Sequence, residues 1–145
     1  MSITAKWDKT DSSIVVCTIH GEWTWEEYHE ATTKIAQMIN RVSHRVDMVM
    51  DMSEAGPLPM SAASLHIKSS LERMPSHFGV SILVSPDRFT RMVVESLDRV
   101  LPMAKDRFYM ADTINVAKRN IYLLRGSQFD DGLDSNTRPV FPSFS

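Results

Sequence analysis

The sequence predicts an α/β fold built on a mixed sheet, with the element order β-β-α-β-α-β-α-β-α. Three observations predict it. First, two β-branched, apolar runs open the chain with only the polar stretch Lys9-Thr10-Asp11-Ser12 between them. That connection suits an antiparallel hairpin and is far too short for a parallel crossover. Second, from Thr24 onward, apolar runs of strand length alternate with segments whose apolar residues recur every three or four positions. Such alternation demands parallel strands joined by right-handed crossovers. Third, Val46 to Met52 is nearly all apolar apart from Asp47 and Asp51, as expected of a central strand covered on both faces.

Each element has its own warrant. Ile3, Ala5 and Trp7 alternate with Thr4, Lys6 and Asp8, the period of a half-buried strand. Ile14 to His20 is a second strand by its β-branched content, and Cys17 reads as a small buried hydrophobe within it. Gly21 ends that strand. Thr24-Trp25-Glu26-Glu27 fits a capping box, with Trp23 and Tyr28 placed to form the accompanying staple. Trp25, Tyr28, Thr32, Ile35, Ile39 and Val42 then make one stripe of a helix over about 25–42.

After the Val46–Met52 strand comes a loop broken by Gly56, Pro57 and Pro59, then a helix from about Pro59 or Met60 with the stripe Met60, Ala63, Ser64, Ile67, Leu71 and Met74. Pro75 ends it. Phe78 to Val84 is a fourth strand. Ser85-Pro86-Asp87 reads as a helix start, with Ser85 as cap and Asp87 complementing the dipole. The stripe of that helix is Phe89, Val93, Leu97 and Val100. Arg107 to Ala111 is a short fifth strand, and Asp112 or Thr113 caps a last helix carrying Ile114, Ala117, Ile121 and Leu124. Beyond Gly126 the period fails and prolines accumulate, so residues 126–145 read as a disordered tail following one domain over 1–125.

Composition narrows the function classes. The 145 residues form one domain with a real core. A net charge of −2 with no clustered basic run argues against a nucleic-acid binder. One cysteine permits neither an internal disulfide nor a cysteine zinc site. No stretch of about 18 apolar residues and no apolar leader segment occurs, so the expected setting is cytoplasmic, without membrane insertion.

Specific chemistry is hard to place. The five histidines lack ligand spacing, so no metal is expected. No phosphate-cradling glycine loop follows any strand, and no cofactor is expected. A serine-hydrolase elbow is absent, and Asp130 to Asp134 misses the calcium-loop spacing. Arg88 and Arg91 read as a solvated helix face. In an open α/β sheet, the crevice beyond the strand ends is where ligands and partners dock. The candidates there are Asp51, Ser53, Glu54 and Met60, with Asp51 and Glu54 as a conceivable carboxylate pair.

The element order, the strand ending at Trp7, the segment His20-Gly21-Glu22-Trp23-Thr24-Trp25-Glu26-Glu27, the strand Val46 to Asp51, and Phe108 to Thr113 continuing to Ala117 together resemble the STAS domain family. The closer likeness is to its SpoIIAA-like branch of anti-sigma-factor antagonists, over about residues 1–124. In those antagonists a serine at the start of the second helix is phosphorylated by a partner kinase. Ser61 is the nearest counterpart here, although Met60 stands where the motif has Asp, and Ala62-Ala63 replace Ser-Gly.

The resemblance implies a non-enzymatic regulatory module that docks a protein partner, of the kinase or anti-sigma-factor kind, through the 53–64 loop and second helix. A homodimer is compatible with it. Two other classes stay open. One is a carrier of a small apolar or lipid-like ligand, with the Met-rich second and third elements lining its pocket. The other is an enzyme using Asp51, Glu54 and Ser61.

Overall fold

A computed structural model of the chain describes residues 2–59, 62–85, 87, 88, 90–92, 95, 96 and 106–129. Five strands form one sheet: β1 (Ile3–Trp7), β2 (Ile14–Gly21), β3 (Val46–Ala55), β4 (Phe78–Val84) and β5 (Phe108–Ala111). They lie side by side in chain order, with β1 antiparallel to β2 and every later pair parallel. The helices are α1 (Trp25–Asn40), α2 (Ala63–Glu72) and α3 (Ile114–Phe129). Further helical residues occur at Arg88, Thr90, Arg91, Met92, Glu95 and Ser96. The mixed sheet and the alternation of strand and helix are those the sequence predicts. The stripe expected at Phe89, Val93, Leu97 and Val100 lies outside the described residues, as do the last sixteen residues of the expected tail.

Because the sheet advances one strand at a time, successive crossovers of one hand put their helices on one face. The packing follows. Val15, Cys17, Ile19, Val46, Met48, Met50 and Met52 point to one side and pack against Tyr28, Ile35 and Ile39 of α1 and Ile67 and Leu71 of α2. Ile14, Val49, Val80, Ile82 and Val84 point to the other side and pack against Ala117 and Ile121 of α3. The two-residue period of a strand sorts β2 and β3 between two cores, which is why β3 reads as continuously apolar.

The caps follow the local sequence. Thr24 Oγ1 accepts from Glu27 N at 3.1 Å, and Thr24 N donates back to Glu27 Oε1 at 3.2 Å. Trp23 and Tyr28 meet as the staple, with centroids 6.2 Å apart. Thr113 settles the choice of cap for α3, accepting from Val116 N at 3.1 Å. The helix that follows β4 is capped by Asp87 rather than Ser85. The Asp87 carboxylate accepts from Thr90 N at 2.8 Å, while Ser85 Oγ accepts from Asp87 N at 3.2 Å. A charged acceptor on the third amide of a helix outcompetes a hydroxyl two residues upstream.

Three boundaries differ from expectation. Strand β3 runs on to Ala55 because Glu54 and Ala55 still pair with His20 and Gly21 after a bulge, so Ser53 and Glu54 belong to the strand and not the loop. Helix α2 starts at Ala63 instead of Pro59 or Met60. Ala62, just before it, takes a left-handed conformation, φ 53° and ψ 34°, which a right-handed helix cannot run through; upstream, Trp25 Nε1 donates to Pro59 O at 3.1 Å. Finally, α3 continues through Gly126 to Phe129.

Candidate functional site

β3 runs on past its last pairing with β4, Asp51 with Val84, and a cleft of about 410 Å³ opens there, lined by Met52, Ala55, Gly56, Pro57, Ser85, Asp87 and Thr90. This is the crevice that the open-sheet rule designates. Its floor is rigid. Gly56 N donates to Gly21 O at 2.6 Å, and a Cβ on Gly56 would meet that carbonyl at 3.0 Å and Glu22 N at 3.1 Å. Leu58 is buried beneath the loop. The Trp25 indole then fixes Pro59, and Trp25 itself stacks on His66 of α2 with centroids 4.7 Å apart and planes 13° apart.

The candidate residues sit around this cleft without forming one constellation. Asp51 is half-buried, and its Oδ1 accepts from Ser53 N at 3.0 Å and from Ser53 Oγ at 2.7 Å. These bonds tie the β3 bulge, where Met52 and Ser53 together face Ile19. Glu54 pairs instead with His20, Oε2 to Nε2 at 2.9 Å, with both side chains largely exposed. Asp51 and Glu54 therefore serve separate local partners and are not brought together as an acid–base pair. Met60 and Ser61 lie outside the described residues.

Next to them, Ala62 takes a left-handed conformation, φ 53° and ψ 34°, and offers no side-chain cap to α2. The first turn of α2 carries no acidic residue. Its leading amides face the crevice end without the carboxylate that serves the helix after β4.

On the outer side of that first turn, Leu65 is 66% exposed, the most exposed of the large hydrophobic side chains described; Met92, on the next helical segment, is 61% exposed. Leu65 falls off the buried stripe of α2, so periodicity passed over it. Ser64, expected on that stripe, is only half-buried, and Ser70 is fully buried in its place. Arg88 is exposed as expected, while Arg91 is held by Asp112 at 2.8 Å.

Two polar clusters escaped sequence reading. One joins α1 to α2 through His29, His66 and Arg73. The other surrounds Asp47, which is fully buried at the start of β3. Asp47 Oδ1 accepts from Val80 N at 2.8 Å and from Arg45 Nε at 3.1 Å, and Oδ2 accepts from Arg125 Nε at 2.8 Å. This cluster sits at the opposite end of the strands from the crevice. The only sequence signal for it was a charged residue inside an otherwise apolar strand.

Other chemistry finds no seat among the described residues. No group of three or more His, Cys, Asp or Glu side chains is placed to hold a metal ion. Burial pushes the Cys17 thiol up to about 12, so it stays protonated and inert. Met48, Met50 and Met110 are closed into the core against α1 and α2; of the Met-rich strands, Met52 reaches the cleft. Among the described residues, no helix is long and apolar enough to cross a membrane.

No protein-family model matches the chain, and no curated protein matches it. A solved structure does: an uncharacterised protein from the DUF3478 family with a SpoIIAA-like fold, from Shewanella loihica PV-4. It aligns with a TM-score of 0.56 over 81% of this chain and 90% of that one, at 15% identity. The fold is therefore SpoIIAA-like, as the sequence resemblance implied.

Proposed function

We propose that this chain is a non-enzymatic interaction module of the anti-sigma-factor-antagonist kind, docking a protein partner through the crevice end of β3 and the first turns of α2. The observation that carries the reading is Leu65. A leucine two-thirds exposed on the first turn of a helix, beside a cleft at the strand ends, is surface that a folded domain does not need for itself. Lys68, one turn further along α2, is also exposed and gives Leu65 a charged neighbour.

Ser61 is the switch in this reading. A phosphoryl group adds nearly two negative charges and three acceptor oxygens. Ala62, the cap residue of α2, makes no side-chain cap bond, and the start of a helix favours an anion through its leading amides and the positive end of its dipole. The same group projects charge onto the face where Leu65 must be desolvated. The SpoIIAA-like fold supports the class of module; the kinase or anti-sigma-like partner and the cytoplasmic setting are part of the proposal.

The test compares wild type, Leu65→Lys and Ser61→Asp in affinity capture from the native host. One protein held by wild type and lost on both variants supports the docking face and the switch. Capture that survives Leu65→Lys contradicts the face, and capture that survives Ser61→Asp contradicts the switch.

A further inference from the structure

The contact between α1 and α2 is made by a chain of three nitrogen-bearing side chains whose protons have one arrangement. Arg73 Nη2 lies 2.7 Å from His29 Nδ1, and His29 Nε2 lies 2.7 Å from His66 Nδ1. A guanidinium has only donors, so His29 Nδ1 is an acceptor. The proton of neutral His29 is then on Nε2 and is donated to His66 Nδ1. His66 in turn keeps its own proton on Nε2. Arg73 also donates to Thr32 Oγ1 at 3.2 Å and to Thr33 Oγ1 at 3.4 Å, which fixes the guanidinium against α1.

Every link requires an unprotonated ring nitrogen. A proton added to His29 falls on Nδ1 and faces Arg73. A proton added to His66 falls on Nδ1 and faces the Nε2–H of His29. Either way a hydrogen bond becomes a donor–donor contact beside a permanent cation. Among the described residues, Tyr28 and Trp25 from α1 and Arg73 from α2 contact the pair. Tyr28 donates to Ser70 Oγ, which donates to Ile67 O, so neither compensates a second positive charge. Glu26 and Glu30 of α1 are exposed.

We propose that Arg73, His29 and His66 form a proton-sensitive latch that closes α2 onto α1 only while both imidazoles are neutral. Its movement reaches the crevice, because Trp25 both stacks on His66 and holds the Pro59 carbonyl. Mild acid, about a unit below the ordinary histidine pKa of about 6.5, thus loosens the first turns of α2 and the 56–59 segment while leaving α3 and its core untouched. Burial, with Arg73 and His66 adding to it, already lowers the His29 pKa below its usual 6.5. A histidine depressed in the folded state contributes its full stability above 6.5 and loses it as pH falls below that value. The latch stands independently of any docking partner.

The test uses the full chain. Long-range proton–nitrogen correlation at about pH 7.5, above the ordinary histidine pKa of about 6.5, reads the tautomers, and both rings are expected as Nε2–H. Amide hydrogen exchange, corrected for intrinsic rate, is compared with about pH 5.5, below that pKa. Residues 63–70 are expected to exchange about two- to tenfold faster in acid, the change that loss of one net hydrogen bond brings to an opening equilibrium, with residues 114–125 unchanged. In the double variant His29→Gln, His66→Asn, which keeps polar groups that do not titrate, the acid response is expected to vanish. An Nδ1–H tautomer on either ring overturns the latch, as does equal exchange at both pH values or an equal acid response in the double variant. The tautomer reading decides the matter even if the double variant fails to fold.

Discussion

Asp47 and Arg125 meet in the interior, the carboxylate at the start of β3 and the guanidinium near the end of α3, with Oδ2 2.8 Å from Nε and 2.6 Å from Nη2. Their 78-residue separation in sequence makes this pair the polar bolt that holds the last helix on its face of the sheet. Arg45 and the Val80 amide hold the other carboxylate oxygen. Removing one partner of a buried pair costs far more than the pair contributes, because a buried charge is left behind. Arg125→Met should therefore destabilise the chain by roughly 2–4 kcal/mol, the residual Arg45 contact offsetting part of the loss. Urea denaturation measures it; a loss within experimental error contradicts the assignment.

Gly79 is dictated by the same cluster. A Cβ there would collide with Asp47 Oδ1 and with the Arg45 guanidinium. Gly79→Ala should cost about 1–3 kcal/mol, the usual penalty of overpacking. In an Asp47→Ala background the added penalty should shrink, since the nearest colliding atom is gone and the Arg45 side chain loses the carboxylate that holds it there, and a double-mutant cycle reads that coupling.

Acid should release α3 from the hairpin turn between β1 and β2. Burial pushes the Asp11 carboxyl up, but hydrogen bonds from Ser13 and Tyr122, and the nearby Arg125 charge, outweigh it and hold the pKa at about 2. A carboxyl depressed from 3.8 contributes stability that is present above 3.8 and lost as pH falls through about 2. Tyr122→Phe removes the 2.6 Å bond to Asp11 and should cost about 0.5–1.5 kcal/mol near neutrality, with a smaller cost near pH 2. An equal cost at both pH values would show that Asp11 is not the acceptor that matters.

Ala62 occupies a conformation that costs a residue with a Cβ about 1–2 kcal/mol. Ala62→Gly should raise stability by about 0.5–1 kcal/mol, since glycine enters that region freely but gives back part of the gain as chain entropy. Thermal unfolding checks the sign, and a lower Tm refutes the left-handed cap.

The Trp25 indole anchors the crevice loop. Trp25→Phe keeps the ring stack on His66 but removes the bond to Pro59 O. The expected loss is about 1 kcal/mol, with faster proteolytic cleavage confined to residues 56–62.

The parts of this architecture visible in the sequence are those written in local periodicity. The capping box at Thr24, the stripe from Trp25 to Ile39 and the doubly buried β3 each follow from residues a few positions apart. What was hidden depends on partners far along the chain. Asp47 is one polar residue in an apolar strand until Arg125 is brought beside it. His29 and His66, 37 positions apart, have no shared spacing until α1 and α2 pack. The bond from Trp25 to the Pro59 carbonyl, across 34 positions, was hidden for the same reason. Leu65 was missed because the apolar stripe that identifies a helix draws attention to its buried side.

Docking at the crevice end of α2 is tested most directly by placing a photo-crosslinking amino acid at Leu65 in one sample and at Leu123 in another. Leu123 is also exposed, at 42%, but on α3, across the sheet. A single partner crosslinked from position 65 and not from 123 is the expected result. Crosslinks from position 123 alone, or equally from both, would contradict a docking face at the start of α2.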